Sequence, residues 1–250
     1  MKTRTAIATI AAAAAALVAI PTAAFAQTET PRTRPTRDPS VSVPARSVDD
    51  VKARCLKQID RRQTALSAAK ARLANARFLT DAHESALDAN IESTASALSS
   101  LANAIQGDTD MAQLKADCQK IVNDYRVYVL VIPRARLVRS ADAELAASTK
   151  LTSVAGRLQS AIDKAKADGK DTTQAEADLA KMKTAIATIN PHASGVFDAV
   201  INLTPADYNA NHDVLDASRT NVRTAAQGVR DAVSAGRATR NDLKSLNDNA

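Results

Sequence analysis

The sequence predicts an all-α protein: an elongated antiparallel helical bundle, built of helical hairpins, behind an export signal and a disordered linker. Three observations carry that expectation. Aromatic residues are 2% of the 250-residue chain, with no tryptophan and six glycines, so the large rings that dominate most deep cores are scarce. Alanine, leucine, isoleucine and valine recur instead at spacings of three, four and seven, the period of a helix face. Helix-capping residues bracket those runs, from Ser47 and Thr80 to Thr204.

The N-terminus reads as an address. Lys2 and Arg4 precede an apolar run from Ala6 to Ile20, Pro21 breaks it, and Ala24-Phe25-Ala26 supplies small residues for a signal peptidase. Residues 1–26 are expected to be a signal peptide cleaved after Ala26. The run is too short and alanine-rich for a membrane span, which needs about 20 strongly apolar residues. Gln27 rather than cysteine follows the cut, which predicts release or non-covalent retention at the envelope rather than a lipid anchor. Residues 27–47 carry Pro31, Pro35, Pro39 and Pro44 among threonine, serine and arginine, the composition of an extended, disordered spacer.

Helices follow. Ser47 with Asp50 forms a capping box for a first helix running to about Arg77, with Cys55, Ile59, Leu66 and Leu73 on its inner face. Thr80 caps a second helix, with Leu87, Ile91, Leu98 and Ile105 inward and Gly107 as the stop. A third starts at Asp108 or Thr109 and turns Leu114, Cys118, Ile121, Val122 and Tyr125 inward. At ~1.5 Å per residue, Cys55 and Cys118 lie about 10 Å and 12–15 Å from the same end of an up-down-up arrangement. In an exported protein this pair is expected to form a disulfide across residues 48–126. A metal site on the two thiols would need another ligand, and the sequence offers none beside them. No cofactor is expected.

Val127 to Ile132 is β-branched and apolar but has no strand partner, so residues 127–133 are expected to form a buried connector, extended or helical, with Pro133 in the first turn of the next helix. Residues 134–236 form the second helical unit. A long helix ends at Gly169, Asp171 and Gln174 cap the next, and Asn190-Pro191 breaks it. A short helix carries Val196, Phe197, Val200 and Ile201, and Thr204-Pro205-Ala206-Asp207 gives a strong start signal. In the last helix Leu215, Val222 and Val229 repeat at intervals of seven beside a seam of Ser218, Ala225 and Ala232. Those small residues invite close helix approach or self-association. After Gly236 the tail, residues 237–250, is polar and expected to fray. No fixed-period repeat is apparent.

Two segments, Tyr125 to Arg134 and Leu203 to Tyr208, resemble parts of uncharacterised secreted, coiled-coil-like helical proteins of high-GC Gram-positive bacteria. The resemblance implies an exported helical protein. No activity comes with it, so no functional residue is carried over.

Charge narrows the partners. The formal net charge is +6, but the signal segment holds two of those charges and the linker two more, leaving a helical body near +2 with acids and bases interspersed. Nucleic acid is not an expected partner. Arg126, Arg134, Arg136 and Arg139 cluster around Pro133 beside the most apolar stretch. Arginine forks in that setting suit anionic headgroups, phosphate-rich polymers or an acidic protein. The competing expectation is that they pair with Asp110, Asp117 or Asp142 and cover the bundle. His83, beside Asp81 and Glu84, reads as a surface histidine in a first helical turn, and His212, Asp213 and Ser218 do not make a triad. The resulting expectation is a non-enzymatic scaffold that binds an envelope or extracellular protein or polymer through helix faces. The alternative is binding to an anionic polymer or membrane surface through the arginine cluster.

Overall fold

In the computed structural model, which describes residues 47–248, Ser47 opens the first helix as its sequence implies. The Ser47 hydroxyl accepts the Asp50 amide, and the Asp50 carboxylate accepts the Ser47 amide in return. The signal segment and all of the linker before Ser47 lie outside the described residues. Helix α1 spans Val48–Ala74, ending earlier than about Arg77 because the Asn75 side chain donates to the Ala71 carbonyl and closes the last turn. Helix α2, Asp81–Gly107, starts from the Thr80 cap, and α3, Met111–Asn123, starts from Asp110. Asp110 takes the cap from Asp108 and Thr109 because its carboxylate accepts the Gln113 amide at 2.8 Å. Leu66, Leu98, Leu114 and Ile121 interlock between these three helices at 0–1% exposure. Val122, expected inward, is 41% exposed, since one residue past buried Ile121 the helix has turned by about 100°.

The apolar run after α3 is helical, and unusually so. Arg126 adopts the left-handed conformation (φ 43°), and a π-helical turn then spans Val127–Val131. Its wider coil turns Val127, Leu130 and Val131 into the core and leaves Tyr128 and Val129 outside. The turn runs straight into α4, Ile132–Ala167, and the backbone ladder passes over the missing amide of Pro133, the Ile132 amide before it donating to the Val127 carbonyl. Residues 127–133 thus take the helical form of the expected connector, continuous with α4. One apolar core continues across them, from Cys55 through Leu130 and Val138 to Leu215 and Ala225.

Helix α4 stops just before Gly169, whose φ of 76° suits only a residue without a side chain. Helix α5 is Thr173–Ala187. Asp171 accepts the Thr173 amide at 3.0 Å, one position earlier than a capping box requires, and Gln174 donates to Asp178 instead. Asn190-Pro191 marks the break expected there: α5 ends at Ala187 and Thr188 is a turn. The dipeptide lies in the first turn of α6, Ile189–Ala193, where the amides have no intrahelical acceptors. Two further short helices follow, α7 Val196–Ile201 and α8 Pro205–Ala210. The Thr204–Asp207 capping box is present but opens only α8.

The last helix, α9, runs Asp216–Asp248, so the expected fraying after Gly236 is not what the chain does. Gly236 acts by close approach rather than as a stop: a Cβ there would lie 2.9 Å from the Met182 sulfur. Beyond it Thr239 is fully buried, and Lys170 ties down the end through the Leu246 carbonyl and the Asn247 side chain. Along α9 the buried line is Ser218, Ala225, Gly228, Ala232 and Thr239, whereas Val222 and Val229 are half-buried. With Ala155, Ile162, Ala175, Leu179 and Met182, Ala232 forms a second, smaller core between α4, α5 and α9. No strand occurs among the described residues. The protein is all-α.

Candidate functional site

Cys55 on α1 and Cys118 on α3 are joined as a disulfide, with Cα atoms 5.6 Å apart. The two heights deduced from helix rise meet at one level of the bundle.

The four clustered arginines separate. Arg134, in the first turn of α4, is 2% exposed and donates to the Leu203 carbonyl, which ties α4 to the α7–α8 turn. Its Nε has no protein partner, and burial pulls the guanidinium below its ordinary pKa. Arg126 donates to Asn209 at 2.5 Å and covers the Tyr208 ring, while Asn209 donates to the Asn123 carbonyl at 2.9 Å. That chain of contacts latches α8 to the end of α3. Arg136 and Arg139 behave differently. Arg136 is exposed and Arg139 half-buried, and with Arg72 of α1 they line a small apolar hollow with Ala69, Leu73, Ile132 and Ala135.

The expected acidic partners are engaged elsewhere. Asp110 caps α3. Asp117 accepts from Lys120 at 2.7 Å and Gln113 at 3.0 Å, and these bonds, Lys120 first, hold its carboxyl below the usual carboxylate range. Asp142 is buried and accepts both the Thr80 amide at 3.0 Å and His83 Nδ1 at 2.9 Å. His83 is therefore not a free surface residue. Its ring stacks on Phe197 at 3.9 Å and joins α2, α4 and α7.

Sequence reasoning missed Arg72, whose place beside Arg136 and Arg139 depends on α1 and α4 packing side by side. It also missed three cation–ring pairs on the same edge. Arg62 lies over Tyr128 at 5.3 Å, and Phe78 is flanked by Arg77 at 5.4 Å and Lys150 at 4.3 Å. The available signal was the helical spacing of Ile132, Arg136, Arg139 and Lys150, which puts one apolar and three basic side chains on one face of α4.

Two other polar features stand apart. Glu144 on α4 has a buried, unpartnered carboxyl oxygen, and burial raises its pKa to about 7 against the opposing pull of Arg230. A shallow groove between α5 and α9 is lined mainly by small residues, among them Ala180, Thr184, Thr188 and Gly228, with His192 at its margin. Among the described residues no group of three or more His, Cys, Asp or Glu side chains is placed to hold a metal ion, and no helix is long and apolar enough to cross a membrane. Comparison with known proteins finds no matching family model, no match among curated proteins and no match among solved structures.

Proposed function

We propose that this chain is an exported, non-enzymatic helical scaffold that binds a protein or polymer of the cell envelope or extracellular space through its helix faces. One observation carries this reading: the polar side chains brought together inside the bundle are used to join helices. Asp142 holds the start of α2 and the His83–Phe197 stack, and Arg134 holds the turn at Leu203. The Cys55–Cys118 bond suits an oxidising compartment. Crosslinking on intact producing cells, followed by mass spectrometry, is the test. The expected result is a mature chain starting at Gln27, without free thiols, crosslinked to envelope components. A full-length chain with two alkylatable thiols in the cytosolic fraction would sink the reading.

A second reading has its own support. Arg72, Arg136 and Arg139 converge on one hollow, and none of them forms an ion pair among the described residues. Unneutralised guanidiniums around an apolar floor favour an anionic surface or polymer as partner. Binding to such a partner should weaken steeply as salt is added. It should depend on Arg136 and Arg139 and not on the guanidinium of Arg134, which is buried. Salt-insensitive binding, or none at low salt, refutes this alternative.

A further inference from the structure

Exposed apolar side chains and unpaired cations coincide on one edge of the bundle. Of the four large hydrophobic residues exposed on the described surface, Phe78 and Tyr128, at 37% and 49% exposure, lie along the α1–α4 seam, and Val129, 36% exposed, follows Tyr128 in the π-turn. Tyr128 sits under Arg62 at one end, and Phe78 sits between Arg77 and Lys150 at the other. The hollow rimmed by Arg72, Arg136 and Arg139 lies between them. From Tyr128 to Lys150 the helical chain is continuous and covers roughly 33 Å at 1.5 Å per residue. None of these six cations is in an ion pair among the described residues.

We infer that this edge docks on the headgroup layer of an anionic phospholipid bilayer. The inference rests on the anionic-surface reading above and names the carrier of the charge. Charge complementarity calls for anions, and the exposed side chains decide which kind. A soluble polyanion such as polyphosphate gains nothing from Phe78 or Val129. A bilayer interface takes up rings and short apolar side chains while its headgroups meet lysine and arginine. Cations along the whole edge, with one ring near each end, match a surface that offers headgroups at every point. A protein partner is usually gripped at one central cluster instead.

The test is co-sedimentation of the full mature chain with phosphatidylglycerol-containing vesicles, pure phosphatidylcholine vesicles, and soluble polyphosphate in parallel. Phosphatidylglycerol vesicles should bind the chain and phosphatidylcholine vesicles should not. The variant Arg72→Gln/Arg136→Gln/Arg139→Gln should lower vesicle partitioning about a hundredfold. A charge-matched control on α9, Arg223→Gln/Arg237→Gln/Arg240→Gln, should lower it far less. Phe78→Ser with Val129→Ser should weaken vesicle binding but leave polyphosphate binding unchanged. Unaltered circular dichroism and disulfide mass keep these variants interpretable. Binding to polyphosphate but not to phosphatidylglycerol vesicles overturns the bilayer inference and leaves the anionic-surface reading standing. Binding to neither overturns both. Equal losses in the two arginine triples, or crosslinks from this edge to an acidic protein without vesicle binding, also overturn it.

Discussion

The bundle closes its helices in two different ways, one in α1–α3 and the other where α4, α5 and α9 meet. Both regions contain a helix with the same polar pattern. Gln113, Asp117 and Lys120 on α3 have the spacing of Gln174, Asp178 and Lys181 on α5, and each aspartate is buried against its own helix's glutamine and lysine. Each also meets a second carboxyl, Asp108 in the first case and Asp242 in the second. The next position differs. It is Cys118, covalently tied to α1, in one region, and Leu179 in the other. The first region fills its interior with leucine and isoleucine and adds a disulfide. The second trims side chains until backbones nearly meet: a Cβ at Gly228 would lie 2.5 Å from the Thr188 hydroxyl and 3.0 Å from the Ala185 carbonyl. A chain poor in aromatic residues can thus gain cohesion from a staple or from close contact, because packing density rather than side-chain size determines dispersion energy.

The largest expected effect falls on the staple. Cys55→Ala/Cys118→Ala should cost about 4 kcal/mol in the chain-entropy model for a loop of 63 residues. Thermal unfolding should show the loss, and hydrogen exchange should show it concentrated in α1–α3. An unchanged melting temperature would mean that the leucine-rich core suffices alone. Next comes Gly228→Val, predicted to cost roughly 1–3 kcal/mol by overpacking against α5 and α6. Its exchange signature should appear in α5 and α9 and spare α1–α3. A neutral result would show that the contact is looser than its geometry.

A smaller effect depends on pH. Glu144 has its folded pKa raised from 4.5 to about 7 by burial. The folded state therefore holds this proton more tightly than the unfolded chain, and stability should fall as pH rises from about 4.5 through 7. Because the site is partly solvated, the expected loss is on the order of 1 kcal/mol. Glu144→Gln should flatten that slope in urea titrations at pH 5 and pH 8. An identical slope in the variant would assign it to other groups. Smallest is Gly156→Ala, where nothing lies within 4 Å of the added carbon. It should stabilise α4 by about 0.8 kcal/mol, in contrast to the loss at Gly228.

How much of this the sequence reveals depends on the range of the interaction. Cys55 and Cys118 could be paired in advance because helix rise and turn positions fix their heights, and the Ser47 and Thr204 caps are local hydrogen bonds written within four residues. Gly236 does not stop its helix because its meaning lies in tertiary context: it faces Met182. The arginines show the same limit. Proximity in sequence grouped Arg126 and Arg134 with Arg136 and Arg139, but a helix sends neighbours to different sides, and only the packing of α1 on α4 brings Arg72 to join two of the four. The π-helical turn was equally out of reach, since its extra residue per turn answers the core's demand for Val127, Leu130 and Val131 together.

The Cys55–Cys118 bond has a consequence beyond stability. All of α2 lies within the covalent ring that it closes. A protease cutting once anywhere between the two cysteines cannot release a fragment: the nicked chain remains a single molecule of nearly unchanged mass. It would separate into pieces only on a reducing gel.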